Sequence, residues 1–485
     1  MNFNWNYNNL MGIPADHSAA AAARQSKALA ALYDDSGRLW LALGHSLVER
    51  GFLSQSLLCF QSALACDPEL DGVQAIRGFV LFRLGRYEEA MSAYMTALAE
   101  QADDADVWLN LGVLFQACGH LEEALSCFVT ALFHKPGSAM CWSNRAKAER
   151  ALGDFAAAAK SFACALKLAP NDAVLRVDLA LSLLSIGDFA NGWRAYDTRF
   201  QLANKPGELA GRWPLWAGEP VDGKRILIVT EQGLGDIFQF VRYVERLQAL
   251  GAEVTLRVSS RMIPVLRGML SPCELVSELE PDTTFDFETA LMSLPYRLTP
   301  TSVLTPDPLR YIAADPDRAA SWAKRLASTD DTFRVGIAWQ GNPFYQEDRK
   351  RSFALSEFAA VAEVPHVRLV SLQQQYGVEQ LADCAFAVEQ IEGTPDRDGA
   401  FVDTAAIIDS LDLVITSDSA IAHLAGALGK TVWLALPFVP DWRWGVSGET
   451  TDWYPTMRLF RQTRDGDWAS VFAEIASALE ALVTD

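Results

Sequence analysis

The sequence predicts two architectures in one chain: an array of stacked helical pairs over its first part, then an α/β half built on parallel sheets. Three observations carry this. Residue types recur at a period of 34 as far as residue 196; from Lys224 short apolar runs alternate with helical stretches; and half of the 485 residues are hydrophobic. That is enough for two or three domains with cores of their own.

The repeat is read first, because a missed period misassigns the whole fold. Phe60, Tyr94, Phe128, Phe162 and Tyr196 are each 34 residues apart. In the same register fall Trp40, Trp108 and Trp142; Gly44, Gly78 and Gly112; Ala63, Ala97, Ala131 and Ala165; and Pro68, Pro136 and Pro170. Five repeats begin near residues 37, 71, 105, 139 and 173. Each has a first helix with the Trp and Gly, a turn such as Leu84-Gly85-Arg86-Tyr87, and a second helix with the Ala and the aromatic. Proline closes the unit because it cannot continue a helix.

This pattern resembles the tetratricopeptide repeat. One helical pair cannot bury its apolar face, so such pairs stack into a right-handed solenoid with a concave groove. The resemblance implies a groove that holds a peptide or another protein; a spacer or assembly arm with an empty groove is the alternative. Asn110 and Asn144 occupy equivalent positions on first helices and are candidates for hydrogen-bonding an extended acceptor backbone. The Ala-rich run Ala19 to Leu32 reads as a capping helix within an N-terminal segment, 1–36, ahead of repeats over 37–206. The last repeat departs from pattern at Gly192-Trp193 and Arg199, and is expected to dock on the next domain. A link over 207–223, rich in Gly, Pro and Trp, reads as a packed crossover more than a free tether.

Past the link, strands are expected at Arg225 to Val229, Val254 to Val258, Phe285 to Ala290, Arg334 to Trp339, Val367 to Leu372, Leu413 to Thr416, Val432 to Leu436 and Met457 to Phe460. Helical stretches separate most of them, which predicts parallel sheets with helices on both faces. There are enough strands for two Rossmann-like domains, 224–315 and 316–485, with a final helix from Trp468 to Leu482. Two such domains facing each other leave a cleft at the carboxyl ends of the strands, where ligands bind.

Charge and composition exclude several functions. With 61 acidic against 41 basic residues the net charge is −20, the wrong sign for displacing counterions from duplex nucleic acid or for an anionic membrane surface. The N-terminal stretch has neither a basic nor an apolar signal region, and no apolar run of about 20 residues is free of charge, so no membrane span is expected and a cytoplasmic protein is. Eight cysteines contain no CxxC pair and read as reduced thiols.

The chemistry concentrates in a few stretches. Asp412 to Leu428 reads DLVITSDSAIAHLAGAL: a strand stops at Ser417-Asp418-Ser419 and a helix of small residues comes next. Unpaired N–H groups and the positive dipole end of a helix make an anion site there, which suggests a nucleotide-diphosphate pocket; an ordinary buried strand-to-helix turn is the competing reading. Thr230 to Asp236, TEQGLGD, is a glycine loop after the first strand, in which Gly233 and Gly235 permit close backbone approach by an acceptor. Asp236 is either a base exposed to the cleft or a helix cap. Gln340-Gly341-Asn342 comes after the first strand of the second domain, and Arg349 and Arg351 form a basic cluster able to clamp a diphosphate, with a solvated charged turn as the competing reading. Asp403 sits at a helix start, where it caps or touches a donor; Pro437 to Trp444 gathers aromatics with Asp441 and Arg443. The D-x-D pairs Asp315/Asp317 and Asp396/Asp398 lie in loops and make no convincing metal site.

The Gly235-Asp236 pair together with Asp418-Ser419-Ala420-Ile421-Ala422-His423 resembles the heptosyltransferase family of bacterial glycosyltransferases, family nine, and the whole layout resembles repeat-containing glycosyltransferases, including enzymes that glycosylate flagellin. It is similar in plan to the O-GlcNAc transferases. The resemblance implies a GT-B fold, a tetratricopeptide solenoid followed by two Rossmann-like domains facing a cleft. It implies an inverting, metal-independent transfer from a nucleotide sugar, as co-substrate and without other cofactor, to a hydroxyl of a protein acceptor. Asp236 maps onto the family's base. Ser417, Asp418, Ser419 and His423 map onto the donor turn, with Ala420 in place of the family's glycine and a buried histidine bonded to a carbonyl as the other reading of His423, and Gln340, Asn342, Arg349, Arg351 and Asp403 are the further donor-side candidates. A transferase acting on lipopolysaccharide or another glycan, and a repeat scaffold with a degenerate transferase half, are the alternatives.

Overall fold

The computed structural model describes residues 36–202, 209–305, 309–327, 332–345, 347–391, 393 and 395–484. The expected capping helix from Ala19 to Leu32 lies outside them. The chain divides into two compact units, Met1–Pro170 and Asn171–Asp485.

In the first unit four helical pairs succeed one another: α1 (Ser36–Glu49) and α2 (Leu53–Cys66), α3 (Val73–Arg83) and α4 (Tyr87–Glu100), α5 (Ala105–Ala117) and α6 (Leu121–His134), α7 (Ala139–Ala151) and α8 (Phe155–Leu168). The period of 34 has a packing cause. A methyl group built on Gly44 would lie 2.3 Å from the Phe60 ring, one on Gly78 2.6 Å from Tyr94, and one on Gly112 2.6 Å from Phe128. In these three pairs the aromatic of the second helix therefore packs directly against the glycine of the first, and all three rings are fully buried. First helices end where Gly51, Gly85 and Gly119 take φ of +80°, +74° and +84°, a left-handed turn that side chains resist. Asp104, Ser138 and Asp154 cap the helices after them through their side chains.

The second unit begins with the fifth pair, α9 (Ala173–Ser185) and α10 (Phe189–Tyr196), so the divide falls ahead of the last repeat. Two wholly parallel sheets come next. The first is formed by β1 (Arg225–Val229), β2 (Glu253–Arg257), β3 (Glu274–Val276) and β4 (Phe287–Ala290), in the order β3-β2-β1-β4. The three-residue edge strand β3 is not foreseen from sequence. The second holds β5 (Phe333–Ala338), β6 (Val367–Ser371), β7 (Leu413–Ser417), β8 (Val432–Leu436) and β9 (Met457–Arg461), in the order β6-β5-β7-β8-β9. Strand order reverses between β1 and β4 and between β5 and β7, and such reversals open a crevice at the carboxyl ends.

Helices α11 (Leu234–Phe240) and α12 (Arg242–Gln248) come after β1, and α13 (Ile263–Leu266), α14 (Leu294–Leu298) and α15 (Pro316–Leu326) lead on to β5. The second sheet carries α16 (Asp348–Arg351), α17 (Ala359–Ala362), α18 (Val402–Asp409), α19 (Ala420–Ala427) and the final α20 (Trp468–Thr484).

Alternation along the strands assigns the faces. Ile226 and Ile228 join Phe238, Phe240 and Tyr243 in one core, which continues to Val414, Leu434 and the small residues of α19. Leu227 and Val229 face the other way, toward Phe285 and the link residues Leu209, Ala210 and Trp213. The link is thus packed: Trp216 N donates to the Glu288 carbonyl at 2.9 Å and Glu288 N to that of Pro214 at 2.9 Å, so it runs along β4 like an added strand. The outer face of the second sheet, Val335, Ile337, Leu413 and Ile415, packs on Phe358, Phe472 and Ile475.

Candidate functional site

The two stretches singled out by sequence meet. A methyl built on Gly235 would lie 2.7 Å from His423 Cδ2 and 3.5 Å from Ala420 Cα. The glycine loop after β1 therefore rests directly on the first turn of α19, and the small residue at 235 serves the approach of helix to helix. Gly233, before it, serves Asp236: its N–H donates to Asp236 Oδ2 at 2.7 Å, a backbone cap at the start of α11.

The other Asp236 oxygen pairs with the Arg443 guanidinium, with 15% of the aspartate and 9% of the arginine side chain exposed. Burial pushes the Asp236 carboxyl up, and the Arg443 charge opposes it. Arg443 lies on a 3-10 turn, Trp442–Trp444, after β8. It also donates to Gln239 Oε1 at 2.6 Å and Asp441 Oδ1 at 2.8 Å, and its guanidinium stacks over Trp442 at 4.4 Å. Burial works against the arginine's charge, but Asp441 and Asp236 outweigh it and raise its pKa.

His423 is buried. Its Nδ1 lies 2.9 Å from the Tyr454 hydroxyl and its ring stacks on Trp444 at 5.4 Å. Burial, reinforced by Arg443, Arg242 and Arg351, lowers its pKa well below 6.5 and keeps the imidazole neutral. Asp418, also buried, is pushed up to about 6 by desolvation and by Asp441, with Arg351 opposing. Ser417 ends β7 with its hydroxyl buried and no hydrogen-bond partner among the described residues, and Gln239 Nε2 is in the same condition. Ser419 takes the N-cap position of α19 in an extended conformation without a side-chain cap bond, leaving its hydroxyl free of that task. Three cations, three carboxylates, a neutral histidine and orphaned buried donors thus surround one point at the carboxyl ends of both sheets, a setting that suits a polar ligand.

The other candidates separate. Arg351 reaches the cluster: its charge acts on Asp236, Asp418 and His423, while its Nε donates to the buried Asp348 at 3.1 Å. Arg349 is exposed, outside the bonds that tie the cluster together. Gln340 is held through its backbone by Gln373, whose Nε2 donates to the Gln340 carbonyl at 2.8 Å. Asn342 forms a local turn, its Oδ1 accepting from Phe344 N at 3.0 Å. Asp403 does not face this cluster; it is a clasp, accepting from Arg318 Nη1 and Trp322 Nε1, both at 3.0 Å, and from Asp396 N at 2.9 Å. Asp315 caps α15, and Asp398 pairs with Arg318. Asn144 and Asn110 lie in the first unit, half-buried, and Asn144 donates back to the Met140 carbonyl at 3.0 Å.

A cleft of about 350 Å³ opens beside the cluster's sheet, at the carboxyl end of β6, lined by Gln373, Gln374, Gln390, Thr404 and Ile407 among others. Sequence reasoning places Arg443 only within an aromatic stretch and assigns no role to Gln239, Arg242 or Tyr454. No local signal marks such residues, since their partners lie up to 211 positions away, as for Arg242 Nη1 and the Trp453 carbonyl. Among the described residues no group of His, Cys, Asp and Glu gathers that could hold a metal ion, and no helix is long and apolar enough to cross a membrane.

Residues 41–106 and 81–148 match tetratricopeptide-repeat family models. The N-terminal array is a tetratricopeptide solenoid. Such repeats support a role in protein interaction. The chain is 28% identical over 313 residues to Protein FlbA of Caulobacter vibrioides, a match that covers 59% of this chain and 52% of FlbA. It thus spans about half the length of that relative. Among solved structures it is similar to MamA (20% identity, 33% of this chain and 97% of that one, TM-score 0.30) and to PilF of Pseudomonas aeruginosa (20% identity, 37% and 78%, TM-score 0.32).

Proposed function

We propose that the α/β half is a glycosyltransferase of GT-B type that moves a sugar from a nucleotide donor to a hydroxyl of a protein acceptor bound by the repeats. The observation that carries the reading is the meeting of the Asp236 loop with the Ser417–His423 turn, Gly235 against His423, at the carboxyl ends of two parallel sheets. Transfer needs a base for the acceptor hydroxyl and stabilisation of the leaving diphosphate. Asp236 is the base in this reading. Each of its oxygens has a lone pair left beyond the bonds to Gly233 and Arg443. Arg351 and Arg443, the N-terminus of α19, the Ser417 and Ser419 hydroxyls and neutral His423, as a donor through Nε2, receive the diphosphate. The glutamine-lined cleft at β6 takes the nucleoside. A flagellin acceptor rests on resemblance alone and is the first protein to try.

The test is sugar transfer by purified full-length protein, with Asp236→Asn as the variant. Loss of general-base catalysis lowers turnover about 10²–10⁴-fold, and donor binding survives. An Asp236→Asn protein as active as the native one would remove the assigned base. A second reading, a repeat scaffold whose α/β half is inactive, is favoured by the engagement of Asp236 in an ion pair and a cap; it predicts no transfer from any donor.

A further inference from the structure

We propose that the fifth helical pair is a positioning element of the site, and that the Tyr196 hydroxyl is its principal contact. This rests on Asp236 being the reacting carboxylate.

Both members of the Asp236–Arg443 pair are braced from α10 and the turn after it. On the Asp236 side, the residue ahead of Gly233 is Gln232, which takes φ of +61° although it is not glycine. Such a backbone persists only where surroundings enforce it. Here its side-chain Nε2 donates to the Tyr196 hydroxyl at 2.5 Å, and Tyr196 is buried at the end of α10. Glu231, one residue earlier, is gripped by Arg199: Nε donates to Oε2 at 2.9 Å and Nη2 to Oε1 at 2.5 Å. The pair is almost fully enclosed, and Met292 N and Ser293 Oγ complete it.

On the Arg443 side, Trp193 of α10 meets Trp442 edge to face at 5.2 Å, and the Arg443 guanidinium stacks on that same Trp442. Trp193 also abuts Phe240, at the end of the helix that Asp236 begins, at 6.1 Å. One helical turn of the last repeat therefore sets where two loops, Asp236 and Arg443 being 207 residues apart in sequence, present their charges. Burial of the core alone requires Trp193 and Arg199. It does not require a phenol hydroxyl on an exposed glutamine, since a phenylalanine fills the same repeat position at residues 60, 128 and 162, although a second tyrosine stands there at residue 94. The hydroxyl serves the loop geometry: it fixes Gln232, hence the direction of the Gly233 N–H that holds Asp236 Oδ2.

The experiment uses full-length Tyr196→Phe, Gln232→Ala and the double variant. Amide hydrogen exchange over residues 231–237 rises about fivefold in each single variant, the factor that one neutral hydrogen bond commands, and no further in the double, because both remove one bond. With whichever nucleotide sugar the native protein turns over, Tyr196→Phe lowers kcat about tenfold or more, leaves KM within about twofold, and moves the acid limb of the pH profile. Unchanged exchange at 231–237, or additive effects in the double variant, would overturn the contact. Raised exchange with native kcat and pH profile would reduce Tyr196 to a structural bond and overturn the inference alone. A native protein that turns over no donor overturns the transferase reading itself and this inference with it.

Discussion

Replacing Arg443 by methionine keeps most of the side-chain volume and removes the charge that three groups share. Asp236 then stays in its enclosed position with the Gly233 N–H and the charge of Arg351 left to answer it, and Gln239 loses its donor. Removing one partner of a buried pair costs about 3–5 kcal/mol; with 15% of the Asp236 side chain exposed, water recovers part of that, and we expect about 2–3 kcal/mol at pH 8. The cost depends on pH, with a sign set by the shifts. Asp236 and Asp418 are both raised by burial and both held down by Arg443, so without the arginine both rise further. A carboxyl raised in the fold is comfortable when protonated and a burden when ionised, so the penalty is full at pH 8 and declines as pH falls through 6 toward 5. His423 acts in the same direction. Its pKa is depressed first by burial and then by Arg443, so the variant relieves the acid-side cost of keeping it neutral. Urea unfolding at pH 5 and pH 8, tracked by fluorescence of the tryptophans in the same core (Trp193, Trp442, Trp444, Trp453), measures both values. A loss equal at the two pH values, or under about 0.5 kcal/mol at pH 8, the range of an ordinary surface change, would refute the electrostatic account of this site.

Three further outcomes rest on single residues. Gly112→Leu drives a side chain into the Phe128 ring and lowers the stability of the repeat unit by about 1–3 kcal/mol, read as the far-UV thermal midpoint; an unchanged midpoint would mean the ring is not seated on the glycine. Glu231→Gln leaves the enclosed Arg199 with only Asp197, 3.5 Å from its Nη1, as counter-charge and costs up to about 3–5 kcal/mol, whereas Glu219, exposed in the link, tolerates the same change. Asp403→Ala unlocks Arg318, Trp322 and the Asp396 turn and lowers the thermal midpoint, while nucleotide affinity falls less than in Ser419→Trp; the reverse ranking would return Asp403 to the donor site.

The parts that sequence discloses are those with local causes. The solenoid is legible because Gly44, Gly78 and Gly112 each need a flat ring on the paired helix, a constraint that prints a period. Strands β1, β5, β7 and β8 are legible because most of both their faces is buried and they read as largely apolar runs. Asp236, Ser419 and His423 stand at strand-to-helix turns, which caps and glycines announce. What sequence conceals is set by distance. Asp403 has the same helix-start signal as Asp418, and only the position of Arg318, 85 residues away, gives it to a clasp. Arg443 reaches Asp236 across 207 residues, and β3 is too short to carry a pattern. The strained Gln232 has no sequence signature, since its φ is imposed by Tyr196 and Glu231 rather than chosen by its own side chain.

The central claim is that the Ser417–His423 turn is a nucleotide-sugar site, and calorimetric titration of full-length protein with ADP-, UDP-, GDP- and CMP-linked sugars tests it most directly. One donor is expected to bind the native protein and to fail with Ser419→Trp, whose indole fills the start of α19. No heat with any donor, and none with the corresponding free nucleotides, would contradict it and leave the repeats as the working part of the chain.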